Sequence, residues 1–122
     1  MVLVGTYLFS SDNSGAIRVK CIKILGCSYC NHTNIGDKIV ISVQKATFGK
    51  KVSKHGVHKS IIIRQKNKTL RKSGVLISFL KNSVVLVKDN NDPIGNRVTG
   101  SVLQELRFKK CLKIMLLAWN IV

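Results

Sequence analysis

The sequence predicts a mainly β domain that holds its cations on a folded scaffold, and three observations predict it. Four apolar runs of strand length, Ile39-Val40-Ile41, Ile61-Ile62-Ile63, Gly74-Val75-Leu76-Ile77 and Val84-Val85-Leu86-Val87, are separated by polar and turn-forming residues. The same block carries the charge: Lys38 to Lys88 holds thirteen Lys or Arg residues and no Asp or Glu, so the basic residues lie on and between strands and not on a disordered tail. The chain has 122 residues, of which 45% are apolar and 6% aromatic, enough for one domain with an Ile, Val and Leu core and too short for two ordinary ones.

Leu3 to Phe9 predicts a first strand, ended by the turn-forming cluster Ser10-Ser11-Asp12-Asn13-Ser14-Gly15. Asp12 and Asn13 can bond their own backbone there, and Gly15 can take a positive φ. That turn is either a loop whose polar groups and N–H groups meet a partner or a rigid turn and no more. Ala16 to Leu25 alternates in its first half, with Ile17, Val19 and Cys21 on one face and Arg18 and Lys20 on the other. Ile22-Lys23-Ile24 then shifts the alternation by one, which predicts a β-bulge or a change of face near Cys21 and Ile22. Gly26 to Gly36 is a loop. Asp37 to Lys45 alternates again, with Ile39, Ile41 and Val43 inward and Lys38, Ser42 and Gln44 outward.

Ala46 to Gly56 is too long for a tight hairpin and predicts a basic loop that protrudes from the surface, with Lys50, Lys51 and Lys54 set to meet phosphates. Val57 to Arg64 contains Ile61-Ile62-Ile63, a strand buried on both faces against the C-terminal segment. Gln65 to Ser73 is a second basic connector, and Val75 to Leu80 with Val84 to Val87 flank Lys81-Asn82-Ser83 as a hairpin that completes a barrel or a curled sheet. Lys88 to Pro93 is a third turn cluster. Beyond it, Gly95 and Gly100 bracket an extended piece containing Arg97, and Thr99 or Ser101 caps a short helix to about Leu106. Leu112, Met115, Leu116 and Trp119 form a partial helical stripe, with Met115 and Trp119 expected in the core.

A net charge of +16 makes the compact state repel itself, and a polyanion relieves that repulsion. Nucleic acid is the first candidate, an anionic membrane the second and an acidic protein the third. No apolar run reaches the roughly 18 to 20 residues of a membrane span, and no secretory leader or transit peptide is expected before the first strand. Catalysis finds no support: Asp12, Asp37, Asp89, Asp92 and Glu105 are scattered, no nucleophile elbow or phosphate-binding glycine loop occurs, and for the three histidines within Asn31 to His58 an acid partner, a nucleophile and an oxyanion site cannot all be named. Cys27 and Cys30 are spaced like half of a metal knuckle. Cys21 and Cys111 lie in apolar segments where a reduced thiol packs as a small core residue, so neither metal nor cofactor is expected. Tyr7, Phe9, Tyr29, Phe48 and Phe79 form no legible aromatic row, which favours phosphates and the shape of folded RNA over stacked single strands. A general single-stranded nucleic-acid-binding barrel is the alternative.

The blocks Thr6-Tyr7-Leu8, Asp12-Asn13-Ser14-Gly15-Ala16, Cys21-Ile22-Lys23, Ile35-Gly36-Asp37, Val57-His58-Lys59, Pro93-Ile94-Gly95-Asn96-Arg97 and Glu105-Leu106-Arg107, with Gly74 to Leu86, resemble ribosomal large-subunit protein fourteen along essentially the whole chain. The resemblance implies a single domain over residues 1–122. It comprises a five-stranded oligonucleotide-binding-like β-barrel over about residues 1–95 and short C-terminal helices over about 96–122. It also implies binding to large-subunit ribosomal RNA, proximity to large-subunit proteins three and nineteen, a contact with small-subunit RNA, and a docking face for a ribosome-silencing factor. The contact residues it implies are Asp12, Asn13, Ser14 and Gly15 of the turn, Arg18 and Lys20 of the next strand, Lys50, Lys51 and Lys54 of the loop, and Arg64, Arg71, Arg97 and Arg107. Ser73 replaces a common Asp, Phe48 a common Pro, His55-Gly56 a Gly-Asp pair, and Cys27 to Cys30 a glycine-bearing basic loop. These departures look similar to a mitochondrial member, with a bacterial or plastid ribosome as alternatives.

Overall fold

The computed structural model describes residues 1–26 and 31–122. In chain order the elements are β1 (Val2–Leu3), β2 (Tyr7–Ser10), β3 (Ala16–Ile24), β4 (His32–Thr33), β5 (Lys38–Ala46), β6 (Val57–Arg64), β7 (Thr69–Leu70), β8 (Leu76–Ile77), β9 (Ser83–Val87), β10 (Val98–Val102), a 3-10 turn (Gln104–Arg107), α1 (Leu112–Leu117) and β11 (Ala118–Ile121). Ile39, Ile41 and Val43 of β5 are fully buried, as their alternation requires, and the five strands β2-β3-β5-β6-β9 close into a barrel around them. Each barrel strand pairs antiparallel with the next, and the seam between β2 and β9 is parallel, with Phe9 opposite Ser83 and Ser10 opposite Val84. Strand number and closure are as expected. The connectivity is a meander, in which a parallel first-to-last pair takes the place of the Greek-key crossover of an oligonucleotide-binding barrel.

The slip in β3 is a bulge, because Cys21 pairs Ile41 while Lys23 pairs Val40 and Ile22 is the extra residue. A second bulge corrects the reading of Ile17. Ala16 pairs Ala46 and Arg18 pairs Lys45, so Ile17 is again the extra residue, and it is exposed where the alternation placed it inward. The first strand is likewise interrupted: Gly5, at φ 88°, turns the chain between β1 and β2, and β1 pairs β4.

Ile61, Ile62 and Ile63 are all fully buried, in one cluster that runs from Val2 to Met115 and includes Val98, Val102, Leu103, Leu106 and Ile114 of the C-terminal region. Of the predicted hairpin only β9 enters the barrel. The segment around Leu76 pairs instead with Thr69–Leu70, and both Leu70 and Leu76 are exposed. The C-terminal region also departs from expectation. Thr99 and Ser101 lie within strand β10, the 3-10 turn has Leu103 at its start with no side-chain cap, and β11 pairs parallel with β10. Because the chain leaves α1 for extended backbone at Ala118, the helical stripe ends early: Met115 is buried and Trp119 is 92% exposed. No helix among the described residues is long and apolar enough to cross a membrane.

Candidate nucleic-acid interface

The turn that ends β2 is a junction made by two short polar side chains. Asp12 Oδ1 accepts from Ser10 Oγ and Ser14 Oγ, both at 2.6 Å, and from Ser14 N at 3.4 Å. Its Oδ2 accepts from Leu86 N of β9 at 3.1 Å, so one carboxylate crosses the barrel seam. Asn13 Oδ1 accepts from Asn96 N at 2.8 Å and Arg97 N at 3.3 Å, which ties in the segment after Pro93. Ser14 is buried. Gly15, at φ 109°, accepts from Thr47 N at 2.8 Å through its carbonyl, and a Cβ there would lie 2.3 Å from Lys50 Cβ. Only glycine admits both the backbone angle and the close approach of the basic loop.

That contact corrects the expected protrusion of the loop. Residues 46–56 fold back on the barrel: Val52 is buried, His55 N donates to Val43 O, Val43 N donates to Gly56 O, and Lys51 Nζ donates to Ile94 O at 3.2 Å. The exposed side chains of Lys45, Lys50 and Lys54, with Phe48, line an open concavity of about 570 Å³. Arg18 is the cross-strand partner of Lys45, which places two like charges side by side at its edge. The turn, Lys50, Lys51, Lys54 and Arg97 are thus gathered on one end of the barrel, with Arg18 and Lys20 on the adjoining face of β3.

The remaining arginines are placed elsewhere. Arg64 is half-buried, and its Nη2 donates to Ser11 Oγ and, at 2.8 Å, to Thr99 O, so it clamps β6 to the turn and to β10. Burial pushes the Arg64 guanidinium below its usual pKa, and among the described residues its Nε has no hydrogen-bond partner. Arg71 makes a fork to Glu105, Nε to Oε1 at 2.6 Å and Nη2 to Oε2 at 3.0 Å, and also donates to Val122 O. Arg107 is exposed, and among the described residues no hydrogen bond or ion pair joins Arg71 or Arg107 to the loop.

The hydrogen bond from Arg71 holds the Glu105 carboxyl below its usual pKa. A lowered folded value means that the pair's contribution is complete above the unfolded glutamate pKa and is lost as the pH falls through the folded one. Wild type is therefore expected to exceed Glu105→Gln in urea resistance near neutral pH, and the gap should close in acid. A gap that persists below the carboxylate range would show that the fork is not its source.

Acids are scarce, and all are used internally. Asp37, Asp89, Asp92 and Glu105 pair with Lys109, Lys59, Lys113 and Arg71, while Asp12 serves the turn. Four of the 21 basic side chains are in ion pairs, which leaves seventeen without one among the described residues. Across residues 1–122, the chain matches the family model for ribosomal protein L14p/L23e. The chain belongs to this family.

An L14p/L23e protein is a structural component of the large ribosomal subunit and belongs to a non-enzymatic family. Among the described residues, Arg18, Lys20, Lys23, Lys38, Lys45 and Arg64 lie on strands of the closed barrel without an ion pair, and the other cations without one lie on its connecting segments and C-terminal region. Sequence reasoning missed Lys45 because the alternation of Ile39, Ile41 and Val43 put it on the inward side; the register shift with β3, in which Gln44 is the extra residue, turns it outward. It named Arg18 and Lys20 but not their contact with Tyr7, whose ring centre lies 4.4 Å from Arg18 Cζ and 5.6 Å from Lys20 Nζ, and it missed Lys81, whose Nζ lies 4.9 Å from the ring centre of Phe9. Cys21 and Cys111 are buried with thiol pKa values raised by burial, while Cys27 and Cys30 lie outside the described residues.

Proposed function

We propose that this L14p/L23e protein binds and stabilises large-subunit ribosomal RNA through the end of the barrel that carries Lys45, Lys50, Lys51, Lys54 and Arg97, with Arg18 and Lys20 beside it. The observation that carries this reading is the basic loop locked to Gly15 and Val43: its backbone is held in place, and among the described residues no acid pairs with its lysines. Such a surface suits a pre-shaped run of phosphates, and its function is placement without turnover. The Asp12 to Gly15 turn serves by holding the loop and the Arg97 segment together. Arg107, on the far C-terminal side, is free for a separate contact. Large-subunit proteins three and nineteen, small-subunit RNA and a ribosome-silencing factor are the partners we assign from the family. The departures at Phe48, His55-Gly56 and Ser73 support a mitochondrial ribosome as its location.

Co-sedimentation with the large subunit, retention at moderately high salt and RNA crosslinks through the loop around Lys50 are the expected results. A protein that stays at the top of the gradient, or crosslinks that avoid residues 45–54, would overturn the assignment. Recovery in mitochondrial ribosomes on fractionation tests the location.

A further inference from the structure

Tyr7 and Phe9 stand two residues apart on β2 with Leu8 fully buried between them, so both rings lie on the outer face of the barrel, 48% and 40% exposed. In sequence they formed no aromatic row. The strand puts the two rings side by side, and the register adds cations to them: β3 brings Lys20 opposite Tyr7 and Arg18 opposite Phe9, and Lys81 reaches Phe9 from the segment before β9. Three cations therefore surround two exposed rings, and neither β2 nor β3 carries an acid.

Same-face side chains on one strand are about 7 Å apart, a spacing at which two successive unstacked bases can each cover one ring. The cations then meet the phosphates that link those bases, and the planar guanidinium of Arg18 extends the stacking surface. Folded duplex RNA offers no free base faces, so this patch asks for a different feature of RNA from the phosphate surface around Lys50. An acidic peptide would satisfy the cations and leave both rings in water. We propose that the outer face of β2 and β3 is a stacking platform for two unpaired nucleotides of an RNA strand. The assignment rests on the RNA-binding reading above and adds an unpaired segment to what that reading requires.

The probe is hexauridylate, which is short and unstructured, added to the full chain. In the wild type the ring protons of Tyr7 and Phe9 are expected to move upfield on saturation. Tyr7→Leu with Phe9→Leu, which keeps apolar bulk on β2, is expected to weaken hexauridylate binding by at least about tenfold. Unmoved ring protons, unchanged affinity in the double variant, or equal ring shifts with oligoglutamate would each overturn the platform. Large-subunit RNA is titrated in parallel. If it binds while hexauridylate leaves the rings unmoved, the platform fails and the ribosomal RNA reading stands. If hexauridylate moves the rings while large-subunit RNA does not bind, the platform stands and the ribosomal RNA reading fails.

Discussion

Alanine at Lys50, Lys51 and Lys54 together is expected to reduce the dependence of log affinity on log salt for large-subunit RNA by about two to three, close to one for each phosphate that is no longer neutralised. Lys50 and Lys54 line the concavity beside Lys45, and Lys51 lies between them with its ammonium on Ile94 O. All three are exposed, so each substitution should change folding stability by only about 0.5 kcal/mol or less. Affinity measured across a salt series, beside urea unfolding of the same variant, separates weakened binding from weakened folding. An unchanged slope in a folded variant would remove this loop from the interface.

Asp12→Ala should be the most damaging single change in the turn, lowering stability by about 3 kcal/mol. Its carboxylate accepts from Ser10, Ser14 and Leu86, and deletion leaves several donors unmatched at once. Ser14 and Leu86 are buried, so water does not readily replace the missing acceptor. Asp12→Asn keeps one acceptor but turns an amide toward donors, and an intermediate loss is expected. In urea the Ala variant should unfold about 1 to 2 M earlier than wild type. A midpoint within experimental error of wild type would mean that the seam does not depend on this carboxylate.

What the sequence disclosed was local, and what it concealed was pairing. Alternation at Ile39, Ile41 and Val43 and the unbroken Ile61-Ile62-Ile63 run identified buried faces, because burial there depends on each strand's own period. The bulge at Ile22 left a slip that could be seen. The one at Ile17 did not, since only the register with β5 reveals which residue is extra. The basic loop looked free because its anchors, the buried Val52, the close approach to Gly15 and hydrogen bonds to Val43 and Ile94, leave no local pattern in the loop's own residues. Trp119 was misread for a related reason: strand pairing with β10 overrode a short helical period. The family blocks contain both Asp12 and Leu86, but the bond that joins them spans a separation of 74 residues and shows in neither block.

The parallel seam has a consequence for biosynthesis. Phe9 finds Ser83 only after most of the chain has been made, and Ser10 finds Val84 only one residue later. Pairings so distant in sequence form late, because the ends of a long flexible loop must first be brought together. Until then the thirteen cations from Lys38 to Lys88 have no closed frame to space them. On the proposed RNA-binding reading, a nascent chain at that stage would meet RNA through charge alone, and a fixed spacing of its cations would begin only when β9 docks.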